Sequence, residues 1–192
     1  MRVFFPLFAP MIYSLDLSTA LLLTGFFLLI THAIALAKPQ PVKAWLRGFP
    51  RSMGAGFLLL LVVTIWAWML IYTIDLGEFT TWRVRILWLI PVVAGLTLVY
   101  VNEFLAVRAL GMLALLVAEP LLESAWMRPE SGRLLLVGLA YVWIVFGLFW
   151  IGSPYTLRDQ IAWVSKTEGR WKSAAFAGIG YGVALLILTL HR

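Results

Sequence analysis

Six largely apolar runs divide this chain, at residues 17–37, 53–74, 84–101, 109–126, 134–152 and 173–190. Each is long enough to cross hydrocarbon, which takes about 20 residues of helix with a range of roughly 17–25. Lipid offers the backbone no hydrogen-bonding partner, so each run must satisfy its own N–H and C=O groups, as an α-helix does. The runs predict an all-α, polytopic integral membrane protein whose six transmembrane helices form antiparallel hairpins. Composition agrees: 62% of residues are hydrophobic and 12% charged, against about 45–50% and about 25% in soluble domains.

Two spans are less regular than the rest. Pro91 lies inside the third, where neighbouring helices can satisfy the carbonyl it frees. The joint NEFLAVR, residues 102–108, is so short that the third and fourth spans are expected to form a tight antiparallel hairpin. Ahead of the first span, residues 1–16 (MRVFFPLFAPMIYSLD) read as an interfacial segment. Pro6 and Pro10 interrupt its apolar stretch and no A-x-A site follows, so it does not read as a cleavable signal. No shift in composition marks a domain boundary, and 1–192 reads as one transmembrane domain.

Orientation follows from Lys and Arg in short loops, which favour the cytoplasm. With both termini outside, the inner loops hold nine: Lys38, Lys43, Arg47, Arg51, Arg108, Arg158, Lys166, Arg170 and Lys172. The outer side holds six: Arg2, Arg83, Arg85, Arg128, Arg133 and Arg192. Subtracting three inner and six outer carboxylates leaves +6 inside and zero outside, the whole of the chain's net charge. Both termini outside is the expected topology, in a cell membrane and on balance a bacterial inner membrane. Charge distributed this way serves retention of loops rather than binding of nucleic acid. Cys is absent, which excludes disulfides, thiolate metal sites and cysteine nucleophiles.

Three segments share a pattern: PVKAW at 41–45, PLLESAW at 120–126 and PYTLRDQIAW at 154–163. Each opens on a proline beyond an apolar run, reaches an Ala-Trp pair, and is followed by Arg47, Arg128 or Lys166. Proline stops or re-aims a helix leaving hydrocarbon, indole suits headgroup depth, and a long cation reaches phosphate. Trp45, Trp126, Trp163, Arg47 and Arg128 therefore read as interfacial anchors, with Trp82 and Trp171 in the same aromatic belt. An inverted internal repeat would give the same pattern, but convergence on the demands of the interface is simpler, since the proline-to-Trp gaps differ.

Few polar residues lie within the spans. Glu123 is within a turn of Trp126 and reads as solvated, whereas Glu119 is seven residues inward, about 10 Å at the helical rise. An ionised Glu119 at that depth should turn toward protein, water or a cation, or else reach the surface as a helix-end carboxylate. His32 sits six residues inside Lys38, roughly 9 Å deep. It could bond a facing helix, relay protons, or be the lone axial ligand of a pigment or haem, although the only other histidine is His191 at the far surface. Glu103 and Arg108 flank the tight joint and are expected to pair across it, with a gate or headgroup site as the alternative.

Small residues at four-residue spacing let membrane helices approach closely. Ala174, Gly178 and Gly182 do so in the sixth span, Ser52 and Gly56 at the second, and Ala33 and Ala37 in the first. HExxH, GxSxG and acidic metal boxes are all missing, so no metal site and no enzymatic activity are expected and no cofactor is required. The expected role is that of a structural or accessory subunit, or an assembly factor, packed against partner membrane subunits of a respiratory or pigment-binding complex or against its own copies. The alternative is a small-solute or proton-coupled transporter using Glu119 and His32.

Overall fold

A computed structural model describes residues 15–190. The N-terminal segment up to residue 14 lies outside the described residues, as does His191. Within them the chain forms helices α1 (Leu17–Ala37), α2 (Pro39–Gly48), α3 (Met53–Thr73), α4 (Arg83–Tyr100), α5 (Leu105–Ser124), α6 (Gly132–Gly152), α7 (Tyr155–Ser165) and α8 (Glu168–Leu190). Two 3-10 turns, Phe49–Arg51 and Gly77–Trp82, complete the regular structure, and among the described residues no strand forms. Six helices are long and apolar enough to span a membrane, so the chain is an all-α polytopic membrane protein.

The spans fall where the apolar runs predict, with two displaced starts. The fourth begins at Leu105 rather than residue 109, because Phe104 takes a left-handed conformation, φ 55°, that turns the chain at once into the helix. The last begins at Glu168 rather than residue 173. Its opening turn carries the Glu168 carboxylate, which the positive end of the helix dipole favours. Neither proline inside a span breaks it: Pro91 lies within α4, and Pro120 lies within α5, which runs on to Ser124.

Two short helices, α2 and α7, were not legible as helices. Proline stands at the start of each, Pro39 in the first turn of α2 and Pro154 at the N-cap of α7. A proline that cannot continue one helix is well suited to open the next, since its fixed φ is helical and its missing N–H would have been unpaired there. The three proline-to-Trp segments thus diverge. Two of them lie in α2 and α7, which pack against each other, while the third is the end of α5 and the turn after it.

Consecutive spans alternate in direction, and side-chain ties sort their ends onto two faces. Asp16, ahead of α1, pairs with Arg128, after α5, at 3.3 Å. On the opposite face Lys43 of α2 meets Glu168 of α8, and Arg108 at the start of α5 meets the end of α6. Packing partners are not always neighbours in sequence. The first span lies along the last, α5 along α6, and α3 along α5, while α4 rests chiefly on α3. The short joint after α4 does not press the third and fourth spans together along their length. Only Ala94 and Leu98 of α4 reach the small cluster of Leu60, Leu105 and Ala109.

Glycine sits at each of the three main crossings. A β-carbon on Gly182 would stand 2.9 Å from the Gly25 carbonyl, one on Gly111 would stand 2.7 Å from the Gly147 carbonyl, and one on Gly56 would stand 2.8 Å from the Ala106 nitrogen. Backbone lies against backbone in each pair. That is how helices associate in lipid, where close packing has to replace the hydrophobic drive.

Candidate functional site

A helix ends with carbonyls that its own turns cannot satisfy, and in a membrane protein each must find a donor. Three of the six long helices take theirs from elsewhere in the fold. Trp171 Nε1 donates to Ala35 O at the end of α1, at 3.0 Å. Arg83 donates to Tyr72 O and Ile74 O at the end of α3, and Arg108 Nη1 donates to Ile151 O at the end of α6, at 2.6 Å. A guanidinium at a helix C-terminus also complements the dipole. Of the polar side chains that the sequence offers for chemistry, Arg108 is occupied in finishing a helix.

The richest arrangement is on the face that carries α2 and α7. Lys43 extends from α2 into the protein and donates to Glu168 Oε1 at 2.6 Å, with side-chain exposures of 6% and 59%. Its ammonium also lies 5.1 Å from the centre of the Trp171 ring. A buried ammonium needs a partner, and here a carboxylate and an aromatic face supply it together. Trp171 is therefore buried and joins α1, α2 and α8, which corrects its reading as a belt residue. The sequence counts Lys43 only as a loop charge, and the fold shows that it faces inward.

Beside this cluster an open groove of about 460 Å³ runs between α1, α2, α7 and α8. Thr31 and His32 line it from α1, Trp45 and Leu46 from α2, Val164 from α7, and Ala174 and Ala175 from α8. Its two polar side chains at the α1 wall turn to their own helix: Thr31 Oγ1 donates to Phe27 O at 2.7 Å, and His32 Nδ1 donates to Leu28 O at 2.8 Å. The second bond fixes the proton of a neutral imidazole on Nδ1. A second recess, bounded by Phe146, Thr156, Asp159, Gln160 and Trp163, lies on the other side of Val164.

The remaining candidates are scattered. Glu119 is exposed on α5 and lines neither the groove nor the recess; Glu123 is exposed as well. His32 lies toward the α2 face and Glu119 toward the Asp16–Arg128 face, so the two do not share a path. Glu103 is exposed, and the pairing expected across the joint is replaced by the bond from Arg108 to Ile151 O. The reason is distance along the helix: Phe104 turns the chain so that Arg108 is already within α5 and reaches the end of α6 instead.

Of the small residues, Gly178 and Gly182 face α1. A β-carbon on Gly178 would overlap the His32 ring, so that ring packs on the glycine. Ala174 is exposed and lines the groove rather than a crossing. Gly56 meets α5, whereas Ser52 caps α3 by accepting from Ala55 N at 3.2 Å. Ala33 and Ala37 are exposed. Trp45, Trp126, Trp163, Arg47 and Arg128 all lie exposed near helix ends, and Arg128 carries the Asp16 pair.

Among the described residues no group of three or more His, Asp or Glu side chains comes together. Comparison with protein-family models, with curated proteins and with solved structures found no match.

Proposed function

We propose that the protein is a non-catalytic structural or accessory subunit that associates, through α4, with partner membrane subunits or with further copies of itself. One observation carries the proposal. The α4 helix is of full membrane-spanning length yet has no buried residue, and α3 is its main support. Trp88, Val99 and Tyr100 project from it with exposures of 72%, 67% and 79%. Association in lipid rests on packed surface, and α4 leaves most of its surface unpacked. The transporter reading draws on Glu119 and His32, which stand apart and toward opposite faces, so nothing in the geometry favours it. In the proposed orientation both termini are outside, α2 and α7 lie at the cytoplasmic surface of a bacterial inner membrane, and Trp45, Trp82, Trp126 and Trp163 sit at headgroup depth.

The absence of cysteine makes a direct test simple. Leu96→Cys on α4 and Leu134→Cys on α6 are both exposed positions. Cross-linking in native membranes should give a discrete larger species from Leu96→Cys and none from Leu134→Cys. Oxidation alone would trap a second copy of the chain, while a bifunctional cross-linker would also trap a different subunit. Only uncross-linked protein from both variants would mean that α4 faces lipid, and the accessory role would lose its support.

A further inference from the structure

The groove beside α2 combines three properties that point to one kind of ligand. Its walls are apolar: Ile34, Val42, Leu46, Val164, Ala174 and Ala175 supply most of them. Of its polar wall groups, the Thr31 hydroxyl, His32 Nδ1 and Trp171 Nε1 are bonded to carbonyls of α1, and the His32 ring packs on Gly178. Its lining reaches from Trp45 and Leu46 of the short helix α2 to His32 of α1, which lies six residues, roughly 9 Å of helix, inward of Lys38. A polar metabolite would find few partners there. A hydrocarbon chain would find continuous contact.

The rim has the opposite character. Lys38, Arg47, Lys166, Arg170 and Lys172 flank the lining residues in sequence and are exposed. Among the described residues none of the five pairs with a carboxylate, and Arg170 instead lies over the Trp163 ring at 4.6 Å. Glu168, at the start of α8, is engaged by Lys43 and is acted on at longer range by Lys172. An apolar slot flanked by cations that make no contact ion pair complements an anionic amphiphile.

We propose that this groove is a binding site for an anionic phospholipid, one acyl chain lying against His32 and Trp171 and the headgroup phosphate among the rim cations. The site would fasten α2 and α7 to the bilayer and is independent of any association through α4.

The test uses the full-length protein in a mild maltoside detergent, given equal amounts of phosphatidylglycerol and phosphatidylcholine with matched chains. Native mass spectrometry should find phosphatidylglycerol retained over phosphatidylcholine by at least about tenfold, given the contribution of each surface cation to anionic lipid binding. Ala174→Phe fills the groove from an exposed position and should abolish that retention. Arg47→Gln with Lys166→Gln leaves every wall intact and should bring the two lipids toward equal retention. Equal retention by the unaltered protein would overturn the proposal. So would undiminished phosphatidylglycerol binding in Ala174→Phe, which would identify ordinary boundary lipid. Displacement by water-soluble glycerol phosphate would show a headgroup site without a chain, and would overturn it as well.

Discussion

At residue scale the ion pair between Lys43 and Glu168 is unequal, and the inequality sets what substitution should do. Lys43 is buried and Glu168 is largely in solvent. Removing the carboxylate leaves a buried ammonium with only the Trp171 ring beside it, while removing the ammonium leaves a carboxylate that water can satisfy. Glu168→Ala should therefore lower the melting temperature in detergent more than Lys43→Met, even though Glu168 is the more exposed partner. The reverse order would mean that the pair contributes through the stem of Lys43 rather than its charge. None of this could be read from the sequence, where Lys43 is one of nine basic residues counted for orientation and Glu168 one of three inner carboxylates. The two are far apart in the chain, and periodicity says nothing about which partner a loop charge will meet.

At the scale of elements the crossing of α1 and α8 offers a paired test within a single helix. Gly182 and Gly180 are two residues apart in α8, but a β-carbon on Gly182 meets the backbone of α1, and one on Gly180 meets nothing within 4 Å. Gly182→Ala has to push two backbones apart and should cost about 1–3 kcal/mol, as overpacking generally does. Gly180→Ala gains helix propensity in open space and should be neutral or stabilising by up to about 1 kcal/mol. Thermal unfolding of the two variants side by side checks this, and equal losses would show that the helices cross elsewhere. The four-residue spacing of Ala174, Gly178 and Gly182 made a packing face legible. It did not reveal that Ala174 belongs to a groove, or that the matching face of α1 uses Gly25 rather than Ala33 and Ala37. Spacing identifies a stripe, but the crossing angle decides how much of it touches.

For the whole molecule the outstanding prediction is orientation. Reporter domains fused after Ser52 and after Lys166 should register as cytoplasmic, and fusions after Glu78 and Pro129 as external; an external signal at Ser52 or Lys166 would invert the assignment. The sequence by itself determined the class of fold and the number of spans. Both follow from solvation: a run of about 20 apolar residues has no satisfactory conformation in lipid other than a helix. It also determined the alternation of loops, because helices that each cross once must alternate. What it left open is which helix lies against which, and that is decided by shape. Apolar side chains gain nothing from each other over lipid tails, so hydropathy carries no pairing information. Glycine notches and helix-end carbonyls in search of a donor carry it instead, and they act only once the helices are side by side. Tertiary structure alone therefore brought the first span to the last, turned Arg108 from Glu103 to the end of α6, and left α4 almost bare. By folding α2 and α7 down over α1 and α8 it also formed the groove, which no single segment contains.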